Sequence, residues 1–143
     1  MIDFLPGIQS TSSALQAERM RMEIISQNVA QMNTTRGLDG KPYQRQQLVF
    51  ESVLNQEQRG NAIEGGSQSV RVVRIEKDHR PAKMLYIPGH PDADANGMVA
   101  MPNINLHEEM ADLIASSRAY EANLAVAKNA RAMAMQALSI GKR

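Results

Sequence analysis

The densest run of oxygen donors in the chain is Asp92-Ala93-Asp94-Ala95-Asn96-Gly97. Oxygen ligands at alternate positions, with glycine at the sixth, open a calcium-binding loop. Val99 also stands at the apolar eighth position. The pattern then breaks. The twelfth position is Asn103, where a bidentate Glu is required, and Pro88-Gly89-His90-Pro91 and Pro102 are incompatible with flanking helices. The better reading is an Asx-rich turn before a strand, with Asp and Asn side chains bonding their own backbone. His79, His90 and His107 match no zinc spacing, and the chain has no Cys to complete such a site. His90, beside Asp92 and Asp94, reads as a turn residue. No Gly-x-Ser-x-Gly, phosphate loop or dinucleotide fingerprint occurs. Ser10, Ser12 and Ser13 have no His near them in sequence and read as helix-start residues. The expectation is a chain that is not an enzyme and holds no cofactor and no metal.

Composition narrows the field further. The 143 residues carry 16 Lys+Arg against 15 Asp+Glu, spread evenly. Phosphate neutralisation needs clustered cations, so nucleic acid is not an expected partner. No one-sign field exists to attract a lipid surface, and no apolar run approaches the ~20 residues that span a bilayer, so no lipid insertion is expected. The start, Met1-Ile2-Asp3-Phe4-Leu5-Pro6-Gly7, has no basic n-region or long apolar h-region, so a cleaved signal peptide is not expected. There are two Phe, three Tyr and no Trp, but ten Met. Five aromatics supply little for an aromatic core or ligand pocket. Ala, Leu, Ile, Val and Met suit helices laid against helices.

Two segments have helical spacing. Ile8, Leu15, Met22 and Val29 sit seven apart, with Ile25 and Met32 on the second seam position, which Thr11 and Glu18 spoil earlier. The spacing predicts a helix over 8–32, opened by Pro6-Gly7 and closed by Asn33-Thr34-Thr35-Arg36-Gly37, with Asn33 as a left-handed cap. The second stripe is Leu106, Met110, Leu113, Ser117, Tyr120, Leu124, Ala127, Arg131, Ala134 and Leu138. Asn105 and Glu108 form a capping-box-like pair at its start, and Glu108, Glu109 and Asp112 complement the helix dipole. Gly141 ends it. Ten alanines between 111 and 137 favour helix and let a neighbour approach closely.

Between the helices lie five of the six prolines and seven of the nine glycines. Strands are predicted at 43–50, 70–75, 83–87 and 98–101, the last two joined through Pro88-Gly89-His90-Pro91. The polar stretch of about 55–69 reads as a mobile loop. The fold class is α+β: two long terminal helices pairing as a coiled coil, around a small, mostly β middle module. The helical domain is 1–36 with 104–143, and the middle domain is 37–103. A β module of this size needs a cover for one face. Two seams rich in Met and Ala leave outer apolar faces that contacts with neighbouring subunits would bury.

The ends and the centre carry a resemblance. The run from Ile8 to Ala17, followed by Ile25-Ser26-Gln27-Asn28-Val29-Ala30-Gln31-Met32-Asn33-Thr34-Thr35, resembles the N-terminal signature of bacterial flagellar rod and hook proteins. Glu109-Met110 with Ser117-Arg118-Ala119-Tyr120-Glu121-Ala122-Asn123 resembles their C-terminal signature. Pro42-Tyr43, Val49-Phe50, the run Gly89-His90-Pro91-Asp92-Ala93-Asp94, and Asn103 within Pro102-Asn103-Ile104-Asn105 are similar to the proximal-rod members of that family. Asn28, Asn33, Thr34, Gly89, His90, Pro91, Asp92, Asp94 and Asn103 are the motif positions.

The resemblance implies a structural subunit of the basal-body rod, packing through Ile8, Leu15, Met22, Ile25, Val29, Met32, Leu106, Met110, Leu113, Tyr120, Leu124 and Leu138. It implies export through the flagellar type III apparatus without a cleaved signal, and assembly in the periplasm into a rod that transmits torque. Its partners would be other copies, other rod proteins, and the basal-body connector protein at the rod base. A competing reading is a cytoplasmic coiled-coil adaptor or export chaperone, which cell fractionation separates from the first. A calcium module built on Asp92, Asp94 and Asn96 would require a calcium-dependent melting temperature.

Overall fold

A computed structural model describes residues 5–37, 39–55 and 67–141, with side chains described over 9–37, 39–52 and 71–141. The element order is α1 (Leu5–Ala30), β1 (Gln46–Asn55), β2 (Ser67–Lys77), β3 (Lys83–Tyr86), β4 (Met98–Met101) and α2 (Leu106–Ile140). This is the expected α+β order of helix, β middle, helix. The four strands form two two-stranded sheets, β1-β2 and β3-β4.

α1 starts earlier than the spacing predicts because Pro6 is compatible with a first helical turn, where its missing N–H has no partner to lose. It stops at Ala30, short of Met32. The chain unwinds through tighter bonds from Met32 N to Val29 O and from Thr34 N to Gln31 O, at 3.3 and 3.0 Å. α2 has the bounds expected. Asn105 Oδ1 accepts the amide of His107 at 3.2 Å, and the Asn105 amide group donates to Glu108 Oε1 at 3.1 Å. The capping pair therefore closes side chain to side chain, with one orphan helix donor satisfied.

β1 lies further along than the predicted 43–50, and β2 extends the predicted 70–75 at both ends. Asp78 N donates to Arg45 O at 2.7 Å, tying the end of β2 to the start of β1. Residues 56–66 of the stretch expected to be a mobile loop lie outside the described residues, while Asn55 and 67–69 belong to strands. β3 and β4 are antiparallel, pairing Lys83 with Met101, Met84 with Ala100, Leu85 with Val99 and Tyr86 with Met98.

Contacts divide the chain into two units. The first comprises 1–20, 49–74 and 115–143, and the second 21–48 and 75–114. Among the described residues of the second, Ile24, Ile25, Val99, Pro102 and Ile104 are the buried apolar side chains. Here the helices pair in antiparallel sense, with Asn28 meeting Glu109 and Arg21 meeting Asp112. In the first unit, Ala17 and Ser116 are buried. The inward line of α2 continues through Ala119, Asn123, Ala127, Ala130 and Ala134, all half-buried and mostly small. Small side chains set a short interaxial distance.

The turn before β4 depends on Gly97. Its φ is +74°, and a Cβ there would lie 2.9 Å from Tyr86 Cε2. Gly97→Ala is expected to lower unfolding free energy by about 1–3 kcal/mol. Gly40→Ala, with a φ of +69° but nothing within 4 Å, should cost less. Urea denaturation of the two variants checks the order; equal losses would refute the steric contribution.

Candidate assembly site

The Asp-rich turn uses its oxygens internally. Asp94 Oδ1 accepts the amides of Asn96 and Met98, both at 2.8 Å. Gly97 N donates to Asp94 O at 2.9 Å, and His90 Nδ1 accepts from Asp92 N at 3.1 Å. These are the bonds of an Asx turn. Asp92 reaches outward from the turn: Thr35 Oγ1 donates to its Oδ2 at 2.8 Å, and Arg36 lies 3.7 Å from Oδ1. The turn is thereby stitched to the segment after α1. Among the described residues no group of three or more His, Cys, Asp or Glu is placed to hold a metal ion.

The second unit has a polar centre. Asn28, near the end of α1, is 1% exposed, and Glu109, in the first turn of α2, is 0% exposed. The Asn28 carboxamide has two donor and two acceptor sites, and all four are engaged. Nδ2 donates to Gln46 O at 2.8 Å and to Glu109 Oε2 at 3.1 Å. Oδ1 accepts from Gln46 N at 2.9 Å and from Tyr43 OH at 3.1 Å. Asn28 thus presents an amide to both backbone groups of the first β1 residue, as a neighbouring strand would. Arg45 Nε donates to Glu109 Oε1 at 2.5 Å, and Arg45 Nη2 lies 3.4 Å from Asp112 Oδ2. Arg21 approaches the other Asp112 oxygen at 3.7 Å. α1, α2 and the approach to β1 meet on this one set of bonds.

Burial, with the Glu109 charge adding to it, pushes the Tyr43 phenol up from its ordinary value. Nearby, the hydrogen bonds from Arg80 hold the Asp78 carboxyl below its usual range, and Asp78 in turn raises the Arg80 guanidinium. In that pair Arg80 stands in solvent, while the Asp78 side chain is 14% exposed.

The seam residues fall into three groups. Ile25 is buried, and Leu15, Met22, Val29, Met32, Leu106, Tyr120 and Leu124 are half-buried. Met110, Leu113 and Leu138 are exposed. The Ile8 side chain lies outside those described. On α2 the most buried line runs one residue aside from the apolar stripe, through Glu109 and Ser116. Tyr120 and Leu124 are half-buried, whereas Val126, Met133, Met135, Leu138 and Ile140 are exposed. Val126, Met133 and Ile140 share one strip at seven-residue spacing, while Leu138, 70% exposed, lies four residues past Ala134 on the inward line. Among the motif positions, Asn28 is buried; Thr34, His90, Asp92 and Asn103 are half-buried; Asn33, Gly89, Pro91 and Asp94 are exposed. In the first unit, Glu18 Oε2 is buried without a hydrogen-bond partner, an uncompensated cost on α1.

Sequence reasoning missed Arg45, because nothing in Gln44-Arg45-Gln46-Gln47 distinguishes it from a solvated cation. It assigned Glu109 to the helix dipole, although a Glu one position from an apolar stripe is also a candidate for burial. Removing one partner of the pair should cost about 3–5 kcal/mol, because the other charge stays buried. Glu109→Ala and Arg45→Ala are expected in that range, and the double variant at much less than their sum. Chemical denaturation giving under about 1 kcal/mol for Glu109→Ala would contradict this placement.

Tyr43 adds a pH dependence. A phenol whose folded value is raised keeps its full stabilising effect below the unfolded value, 10.0. That effect is lost as pH rises through the folded value, because the unfolded state releases its proton first. Stability should therefore fall more steeply between pH 9 and 11 in the parent than in Tyr43→Phe. Parallel denaturation profiles would contradict it.

Two family descriptions match the helical ends. "Flagella basal body rod protein" covers residues 8–36, and "Flagellar basal body rod FlgEFG protein C-terminal" covers residues 95–140. The chain is 43% identical over 144 residues to the flagellar basal-body rod protein FlgC of Borreliella burgdorferi, covering 94% of this chain and 95% of that one. It is 38% identical to FlgC of Bacillus subtilis, with 95% and 97% covered. It is 35% identical to FlgC of Salmonella typhimurium, with 91% and 92% covered. With both signatures matched and the similarity running through the β middle, the chain belongs to the FlgC family of flagellar basal-body rod proteins.

Proposed function

We infer that the chain is a structural subunit of the flagellar basal-body rod that assembles through the outward faces of its terminal helices. Its relatives bear the name of rod proteins and not of enzymes. The observation that carries the assembly route is the uncovered apolar surface of α2: Val126, Met133 and Ile140 share one strip of the helix in solvent, and Met135 and Leu138 are exposed as well. Exposed apolar side chains along one long helix are stabilised when neighbouring subunits cover them. Met suits such faces because its flexible thioether adapts to several contours.

The partners are other copies of the chain, other rod proteins and the basal-body connector protein at the rod base. The subunit passes through the flagellar type III export apparatus without a cleaved signal and joins the rod in the periplasm. There the packed helices transmit torque during flagellar motility. A cytoplasmic adaptor or export chaperone is not favoured, because the family is one of rod components.

Leu113, Val126 and Leu138 are exposed in the single chain. Replacing one with Asp should change the free subunit's stability by no more than about 0.5 kcal/mol. Buried between subunits, the same carboxylate costs several kcal/mol. Val126→Asp and Leu138→Asp are expected to leave export into the periplasm intact while abolishing rod assembly and swimming. Leu113→Asp should weaken both assembly and swimming. Normal swimming in Val126→Asp and Leu138→Asp would overturn the assembly route.

A further inference from the structure

We propose that Glu109, held by Asn28 and Arg45, is the register lock of the second unit: it selects the antiparallel register of α1 and α2 there. The case begins with what α2 contributes to that unit. Over 106–114 its one buried side chain is Glu109, with Leu106 and Asp112 half-buried. Its other large apolar residues, Met110, Leu113 and Ile114, are exposed. The buried apolar residues among those described in the unit, Ile24, Ile25, Val99, Pro102 and Ile104, lie on α1, on β4 and just before α2. Apolar packing is non-directional and proportional to area, so it discriminates poorly between registers that bury similar surface. A charge with named partners discriminates well.

The partners are themselves fixed. Asn28 is held by both backbone groups of Gln46 and by the Tyr43 hydroxyl. Its fourth site has one occupant, Glu109 Oε2. Arg45 directs Nε to Glu109 and Nη2 to Asp112, so its planar guanidinium spans two carboxylates one helical turn apart. A slip of four residues would bring Asn105 or Leu113 to the position of Glu109, and neither supplies a charge. A slip of three would bring Leu106 or Asp112, the latter one methylene shorter and drawn away from Arg21. The slips that bring Asn105, Leu106 or Leu113 leave Arg45 without its buried carboxylate, and an unpaired buried charge is the strongest available penalty. The slip that brings Asp112 supplies a shorter carboxylate at the loss of the Arg21 contact. A single buried polar group setting helix register is a well-attested use of such residues.

The test reads register directly and uses the free chain in solution. The chain has no Cys, so cysteines placed at Ser26 and Ala111, both exposed, take nitroxide labels at those two sites alone. Pulsed dipolar spectroscopy should give one narrow distance with Glu109 present. Glu109→Leu, which keeps bulk but removes the charge, should retain helical circular dichroism and add a second distance shifted by about 5 Å, one helical turn. Should Glu109→Leu lose its helical signal, Glu109→Gln decides, since it keeps the shape and one acceptor; its distribution should broaden toward the same shift. A single parental distance in the decisive variant would overturn the proposal, whatever happens to rod assembly.

Discussion

A carboxylate with no exposure to water has to be matched by donors that are themselves held in place. Glu109 meets that condition through Arg45 on one oxygen and Asn28 on the other. Because Asn28 also takes both backbone groups of Gln46, one side chain joins the end of α1, the start of β1 and the first turn of α2. Removing Glu109 would take the buried acceptor from Arg45 Nε and from one Asn28 N–H, leaving Arg45 only the more exposed Asp112 and Gln47. Such a centre favours one geometry strongly without adding much net stability, since the desolvation of both charges offsets much of their attraction. Specificity over stability is a fitting bias for a subunit that, in the proposed assembly, gains its remaining stability from neighbours.

The helices follow from the same division. In the first unit the covered side of α2 carries alanines, Ser116 and Asn123, with Tyr120 and Leu124 half-buried as its large apolar side chains. At about 25 cal/mol per Å² of buried apolar surface, small side chains contribute modestly. Larger apolar side chains that would stabilise the helix if covered stand exposed, at Val126, Met133, Met135, Leu138 and Ile140. A monomer designed by packing alone would reverse that arrangement. A rod subunit has reason to keep it if, as proposed, other subunits cover those exposed side chains.

Much of this was legible in the residues, and the exceptions have physical causes. Seven-residue spacing located both helices, and the Pro-Gly-His-Pro-Asp turn with its Asx bonds was readable from the chemistry of Asp and Asn side chains. Periodicity measures which residues avoid water, and cannot say whether the same chain or another covers them. Met110, Leu113 and Leu138 share the stripe with Leu106 and Tyr120, yet the former are exposed in the single chain and the latter half-buried. Acids in a first helical turn are common enough that Glu109 looked like a dipole complement. Arg45 could be found only through its partners, one of which is 64 residues away in sequence.

The central claim is that the polar junction holds the second unit while the outer face of α2 waits for neighbours. Amide hydrogen exchange on the dilute chain and on isolated basal bodies tests it most directly. In the dilute chain, amides over Ile24–Ala30 and around Glu109 should be protected well above those of residues 126–140. In basal bodies, residues 126–140 should become protected as well. Uniform, full protection along both helices in the dilute chain would contradict the account.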